Sequence, residues 1–532
     1  MKTVIIGGVA AGTKAAAKLK RENPGDEVII YTKSKDISYA GCGLPYYIGG
    51  AIATEKELIV NTPQKYMGLT GAVVHTNSEV TKVNPVQKNI LVNGETVSYD
   101  RLIIAAGAFP VVPNLPGVSL PGVFTVRTPQ DAIAARKFAE DNHCRRAVVA
   151  GGGFIGLEVA ENLMAKGISV TVVDMADQLM PNIFDYDMAD YIRRKLTENG
   201  MSILVKSALR EIEGETAVSV VKTSAGELPC DMVILAIGIR PATAFLEGSG
   251  IETEKGLIIT DEYQRTNLPD IYAVGDCAMV RNRITGKKQW SAMGSTANIA
   301  GRALALNLSG EKTQYKGVLG TGVARLSPTL SAAKTGLTEA AARENGYDVV
   351  CVTCVSDDKA HYYPDSSVFI TKLIADRQTG KLLGAQILGS GSVDKMADIA
   401  VVGISMGIKA EDYVTMDFAY APPFSTAIHP FAAACSILVN KISGRFTTFT
   451  PSEYARGEAK GYTLIDAHPI PVLPGADWID FGKLDELQYD KDARLLLVCA
   501  RGKRGYLLQN KLRRLGYENT RVLEGGATFN VI

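Results

Sequence analysis

The 532-residue sequence predicts an α/β chain organised around two separate parallel βαβ units. Three observations predict it. A run of Val and Ile at the N-terminus opens on a glycine turn and an alanine-rich helix, and the same plan recurs in the middle of the chain. Strand and helix patterns then alternate to the C-terminus, and a hydrophobic content of 46% is ample for buried cores. The length is a prior for about three domains.

The first unit is a strand over 3–6, the turn Gly7-Gly8-Val9-Ala10-Ala11-Gly12, a helix over 12–21 and a strand over 27–31. Backbone N–H groups of such a turn, with the helix N-terminus behind them, suit a pyrophosphate. Two positions depart from the strict pattern: Val9 stands at the middle glycine, and Thr32 beside Lys33 stands where an acidic residue would bind a ribose hydroxyl.

Cys42 follows in Ser38-Tyr39-Ala40-Gly41-Cys42-Gly43-Leu44-Pro45-Tyr46-Tyr47. Flanking glycines let its sulfur approach a flat ring, Pro45 suits the first turn of a helix, and a helix N-terminus favours a thiolate.

The second unit has a strand over 146–150, the turn Gly151-Gly152-Gly153-Phe154-Ile155-Gly156, a helix to about residue 166 and a strand over 169–174. Gly151, Gly153 and Gly156 complete the fingerprint. Asp174 at the next strand end accepts from a ribose 2′-hydroxyl and repels a 2′-phosphate, which favours NADH over NADPH, while Arg193 and Arg194 blur that preference. Two units imply two dinucleotides.

After Gly238-Ile239-Arg240-Pro241 the chain returns to strands and turns that end Ile271-Tyr272-Ala273-Val274-Gly275-Asp276, where it is expected to rejoin the first domain. Residues 315–446 alternate strands and helices without a third fingerprint, an α+β pattern suited to packing or dimerisation. The Thr- and Ser-rich stretch 443–453 reads as a linker before a small α/β module.

Lys plus Arg number 57 against 56 for Asp plus Glu, so no overall field recruits nucleic acid or an anionic membrane. The N-terminus lacks a long apolar stretch, and a cytoplasmic protein is expected. Eight cysteines are too sparse for a disulfide framework. Cys351 and Cys354 fall in an alternating strand with no second pair and read as structural, so no metal site is expected.

Residues 38–47, Leu102-Ile103-Ile104-Ala105-Ala106-Gly107-Ala108, 151–156 and 271–276 together resemble the FAD-dependent pyridine nucleotide-disulfide reductases, over roughly residues 1–445. Within them the chain looks most like the single-cysteine coenzyme A disulfide reductases and their rhodanese-fused relatives, the NADH-dependent persulfide or polysulfide reductases. The resemblance implies an FAD-binding domain over 1–115 and 250–314, an NAD(P)H-binding domain over 116–249, a dimerisation domain over 315–446 and a rhodanese-like domain over 455–532. It places FAD and NADH, with NADPH as a substitute, on Gly7, Gly8, Ala11, Gly12, Thr32, Lys33, Ser38, Val80, Ala106, Gly107, Gly151, Gly153, Phe154, Ile155, Gly156, Asp174, Gly238, Gly275, Asp276 and Ala297. Ala106 departs from the family's Ala-Thr-Gly.

Members with two active-site cysteines carry a CxxxxC pair, and Cys42 has no partner at that spacing. A single cysteine forms a mixed disulfide, a persulfide or a sulfenic acid instead. Related peroxidases and water-forming oxidases place a histidine inside the first glycine turn, where this chain has Ala10, which favours thiol–disulfide chemistry. His361-Tyr362-Tyr363-Pro364 and Phe418-Ala419-Tyr420-Ala421-Pro422-Pro423-Phe424-Ser425 resemble segments that bring tyrosines from the other subunit of a homodimer. By that resemblance Tyr420 and Tyr362 position or protonate the leaving sulfur.

For coenzyme A as ligand, Lys14, Lys18 and Arg21 share one helix face and suit phosphates, or form a solvated face. Ser38 and Gly41 complete the substrate set, with Gly41 in place of the family's asparagine. Ile428-His429-Pro430 stands where a lysine is anticipated, and His429 reads as a structural or residual acid–base group.

Residues 464–466, 473–476, 495–506 and 522–526 resemble a rhodanese domain, in which Cys499 ends a strand before a tight loop with Arg501 and Arg504. Cys499 is thus a candidate sulfur carrier. The segment after Asp466 is compressed and lacks the usual arginine, so a non-catalytic module is the alternative. The expected function is NADH-dependent reduction of coenzyme A disulfide, coenzyme A persulfide or polysulfide through Cys42, with sulfur relay to or from Cys499. The alternatives are an NADH oxidase using oxygen and a flavin-dependent redox-sensing or sulfur-relay protein. The expected partners are a small-molecule thiol disulfide or persulfide and a second copy of the chain, with neither nucleic acid nor membrane.

Overall fold

The computed structural model describes residues 1–532, apart from the side chain of Asp485. Two compact units emerge, Met1–Asp177 with Met201–Val318, and Gln178–Gly200 with Leu319–Ile532.

In the first unit the strand Lys2–Ile6 pairs in parallel with Glu27–Tyr31 and Arg101–Ile104, and Ile271–Ala273 and Val73–His75 complete a five-stranded sheet. Val4, Ile5, Ile30, Leu102, Ile103 and Ile104 are fully buried, the continuous apolar signature of strands covered on both faces. The helix Gly294–Leu308 approaches the helix Ala10–Glu22 so closely that a Cβ on Gly301 would lie 2.6 Å from the Ala11 carbonyl oxygen. A second five-stranded parallel sheet is built from Ser202–Leu204, Ser169–Val173, Arg146–Ala150, Met232–Leu235 and Val123–Thr125, in that order.

In the second unit the strands Gly322–Ser327, Leu330–Gly336, Leu382–Gly389, Val368–Asp376 and Val349–Asp357 form an antiparallel sheet in that order. The helices Val393–Met406 and Pro430–Ile442 share its core. The C-terminal module is a separate five-stranded parallel sheet.

One sequence reading is corrected here. The stretch 443–453 is not a free linker, because Thr448–Phe449 is a strand paired with Thr520–Leu523 and Pro451–Ala455 is a helix capped by Thr450 and Glu453. Its threonines serve a strand and a cap, roles that composition does not distinguish from a flexible tether. The helix Tyr186–Glu198, inside the segment read as nucleotide-binding, groups with the second unit.

A buried ion cluster joins the start of this helix to that unit. Lys372, 1% exposed, lies 3.3 Å from Asp185, 3.0 Å from Asp187 and 3.1 Å from Glu339. Burial opposes its charge, but Asp187 and Asp185 hold it protonated well above the usual lysine range. Burial likewise pushes the Glu339 carboxyl up, yet Lys372 and Arg343 outweigh it and bring the group to about 2. Lys372→Met is expected to cost about 3–5 kcal/mol, since three carboxylates lose their shared cation. Urea unfolding of the full chain checks this, and an unchanged midpoint contradicts it. No helix among the described residues is long and apolar enough to cross a membrane.

Candidate active site

The first strand turns sharply because Gly7 adopts φ +110°, a left-handed backbone that glycine tolerates, and a Cβ there would lie 2.1 Å from the Ala105 carbonyl oxygen. A Cβ on Gly12 would lie 2.0 Å from the Gly7 oxygen. The second turn repeats this, with Gly151 at φ +110° and the Cβ position of Gly156 1.9 Å from the Gly151 oxygen. Gly153 differs. No other part of the chain comes within 4 Å of its Cβ position, which leaves open space beside the backbone N–H groups of the turn. The helices Ala10–Glu22 and Phe154–Ala165 begin at Val9 and Gly153 with no side-chain cap, which leaves their first N–H groups for an anion.

Several of the other expected cofactor positions lie beside these turns. Gly275 has φ +80° and its Cβ position lies 3.0 Å from Ala11 Cβ and 3.8 Å from Ala297 Cβ. Gly107, after Ala106, has φ +73°, with Arg127 Nη2 3.5 Å from its Cβ position. Asp276 accepts from that same guanidinium at 2.9 Å. Asp174 accepts from the N–H groups of Gly152 (2.7 Å) and Ala176 (2.8 Å), so its carboxylate borders the second turn. Thr32 is buried against Gly8, whose Cβ position is 3.2 Å from its Cγ2. Lys33 points instead to an exposed ion pair with Glu79. Phe154 and Ile155 open the second helix, Val80 starts the strand Val80–Asn84, and Gly238 takes φ +120°.

Cys42 is delivered to this region by Ser38, whose N–H donates to the Gly8 carbonyl at 2.9 Å. The N–H of Ala40 donates to Leu58 O and that of Val60 to Ser38 O, which fixes the approach. Cys42 then sits in the short 3₁₀ turn Gly41–Gly43 before the helix Leu44–Gly49, with Pro45 in its first turn. That helix lies directly on the second fingerprint helix: a Cβ on Gly49 would be 2.5 Å from Asn162 Oδ1. The cysteine therefore stands where the two nucleotide units meet.

Its protonation does not follow the expectation from the helix N-terminus. Cys42 is exposed as a residue, yet enough protein surrounds the sulfur that burial pushes the thiol up, Glu158 and Asp276 push it further, and Arg127 only partly offsets them. A helix of six residues offers little dipole against two nearby carboxylates.

Glu158 and Arg127 are site residues that the sequence reading missed. Glu158 lies in the second fingerprint helix and accepts from Tyr46 Oη at 3.2 Å. Burial raises its carboxyl to about 7. Below that pH it is largely neutral, and above it its charge disfavours the Cys42 thiolate. Glu158→Gln is expected to speed alkylation of Cys42 by iodoacetamide roughly threefold above pH 7 and to leave it little changed well below. A pH profile with the same ratio throughout contradicts this.

Of the positions expected for coenzyme A, Lys18 is paired with Glu22, Lys14 is half-buried and Arg21 is exposed on the same helix. Gly41 has open space at its Cβ position.

In the second unit, Tyr362 and Tyr420 are neighbours, 67% and 48% exposed. The N–H of Ala360 donates to Pro422 O, which ties the two tyrosine segments together. Its neighbour Tyr362 pushes the Tyr420 phenol up. His429 accepts from the Phe431 N–H and stacks on Phe418 at 4.5 Å, and burial beside Lys395 lowers it to about 4. It caps a helix as a neutral ring. Cys351 and Cys354 are fully buried in the strand Val349–Asp357, and burial pushes both thiols well up, as structural cysteines.

Cys499 ends the strand Leu495–Val498, and its Sγ accepts from the N–H groups of Gly502 (3.2 Å) and Gly505 (3.4 Å). In the compressed segment after Asp466, which lacks the arginine, His468 Nδ1 lies 2.6 Å from Asp466 Oδ1.

Residues 1–297 match the family model of the pyridine nucleotide-disulphide oxidoreductases, and 328–432 match that family's dimerisation domain. The chain belongs to this family. It is 35% identical over 440 residues to the NAD(P)H coenzyme A polysulfide/persulfide reductase of Pyrococcus horikoshii, which covers 82% of this chain and 98% of that protein. It is 34% identical to an NADH oxidase of Methanocaldococcus jannaschii over 84% of this chain and all of the other. The crystal structure of reduced Bacillus anthracis CoADR-RHD superposes with a TM-score of 0.94 at 33% identity, over 99% of this chain and 97% of that one. The C-terminal module is thus included in a likeness that runs nearly end to end.

FAD and NAD(P)H are the cofactors of this oxidoreductase family, and the glycine cradles fit them. Gly7, Gly8 and Gly12 form the first cradle, and Gly151, Gly153 and Gly156, bordered by Asp174, form the second.

Proposed function

We propose that the chain reduces coenzyme A disulfide, coenzyme A persulfide or polysulfide with NADH through Cys42. One observation carries the reading: a single cysteine at the meeting of two uncapped glycine turns, with Ala10 where a peroxide-handling histidine would stand. Names of relatives such as the Pyrococcus reductase support the same substrate class.

Cys42 thiolate attacks one sulfur of the disulfide, forms a mixed disulfide and releases the first thiolate. The chemistry that bound FAD supplies is transfer of an electron pair from NADH to sulfur, which returns the Cys42 thiolate and frees the second thiol. Tyr420, steadied by Tyr362 and contributed by the other subunit of a homodimer, gives a proton to the departing sulfur. Lys14, Lys18 and Arg21 meet the nucleotide phosphates of coenzyme A once Lys18 leaves Glu22. Asp174 favours NADH by accepting from the ribose hydroxyl. Cys499, held by two N–H groups, accepts sulfane sulfur or presents it in a rhodanese-like module. The setting is the cytoplasm.

The oxidase reading has the Methanocaldococcus relative in its favour. Anaerobic NADH consumption separates the two: coenzyme A disulfide, its persulfide or polysulfide is expected to sustain turnover. Consumption that needs oxygen and ignores all three contradicts the proposal.

A further inference from the structure

The loop that carries Cys499 rests on a fixed floor. The N–H groups of Ala527 and Thr528 donate to the carbonyls of Cys499 and Ala500, and a Cβ on Gly526 would lie 2.1 Å from the Cys499 oxygen. Glu524, just before this floor and 2% exposed, takes the N–H of Thr353 at 2.8 Å, the Lys441 ammonium at 2.5 Å and the Thr448 hydroxyl at 2.6 Å. Thr353 belongs to Val349–Asp357, the edge strand of the antiparallel sheet. The floor is therefore bolted to a strand outside the C-terminal module.

The same strand holds the loop from its other side. Arg501, beside the Gly502 whose N–H reaches the sulfur, gives its guanidinium to Asp357 at 2.6 Å. Arg504 is engaged as well, with Nε on the Ala467 carbonyl at 2.8 Å and its guanidinium 4.4 Å from the Phe481 ring. Of the two arginines that follow Cys499, Arg501 is thus paired with a carboxylate from outside the C-terminal module.

We infer that Asp357 determines which sulfur donor Cys499 takes, by withholding Arg501 from a doubly charged donor such as thiosulfate. The inference rests on the reading of Cys499 as a sulfur acceptor. With thiosulfate, the Cys499 thiolate attacks the outer sulfur, the S–S bond breaks, sulfite leaves with the electron pair and a Cys499 persulfide anion remains. Thiosulfate brings two negative charges beside the loop, and Asp357 both repels them and competes for the guanidinium that pairs with oxyanions. A persulfide of a small thiol hands over its outer sulfur and leaves as a thiolate, with no oxyanion to neutralise. Asp357 therefore biases loading toward thiol persulfides.

The full-length holoenzyme is loaded with thiosulfate or with cysteine persulfide, and discharge to cyanide is followed as thiocyanate. Asp357→Asn is expected to lower the KM for thiosulfate about fivefold, the upper reach of a partly exposed ion pair, with the persulfide little affected. Adding Arg501→Ala to Asp357→Asn is expected to erase that gain. An unchanged thiosulfate KM in Asp357→Asn, or a gain that persists without Arg501, overturns the assignment. If neither donor adds sulfur to Cys499 in the native or the Asp357→Asn chain, while Cys499→Ser behaves identically, the carrier reading falls and the assignment falls with it.

Discussion

Cys42→Ser lowers NADH-dependent reduction of coenzyme A disulfide by about 10³-fold or more, because a serine hydroxyl forms no mixed disulfide through which electrons reach the substrate. Nucleotide binding is expected to survive, since the cradles at Gly7, Gly12, Gly151 and Gly156 are built from backbone to which the Cys42 side chain does not contribute. Steady-state rates with bound FAD confirmed by its absorbance check both halves. Retention of near-native disulfide turnover contradicts a Cys42 mechanism and shifts attention to Cys499 or to direct reduction of substrate.

Tyr420→Phe lowers the same rate by about 10²-fold, the lower end of what a positioned proton donor contributes, and Tyr362→Phe has a smaller effect. Both side chains are largely exposed, so loss of a hydroxyl leaves the fold intact. The leaving group separates acid catalysis from mere shape. A disulfide that releases a thiol of low pKa needs no proton to depart, and the Tyr420→Phe defect is expected to shrink with it. An equal defect for every leaving group assigns Tyr420 to packing.

Much of this site was legible in the sequence because its signals are local. The spacing of Gly151, Gly153, Gly156 and Asp174 dictates a turn, a helix and a strand end within one stretch of chain, and those elements form at Phe154–Ala165 and Ser169–Val173. The charge around Cys42 was not legible, since Glu158 and Arg127 arrive from distant segments and oppose each other. Nor was the cluster at Lys372, whose partners Asp185, Asp187 and Glu339 come from different elements. The stretch 443–453 failed for another reason: Thr450 and Pro451 signal a helix start as strongly as they signal a loop, and the strand at Thr448–Phe449 exists only through Thr520–Leu523. His468 shows another limit: it stands two residues from Asp466 in the sequence, but only the fold reveals their bond.

The account rests on a covalent sulfur bond at Cys42, and peptide mapping by mass spectrometry reads it directly. Chain freed of bound thiol is mixed with coenzyme A disulfide without NADH, trapped at low pH and digested. The expected result is one coenzyme A per chain, on the peptide carrying Cys42, discharged as free thiol on addition of NADH. No adduct at Cys42 in a chain that still consumes NADH with this disulfide would contradict it.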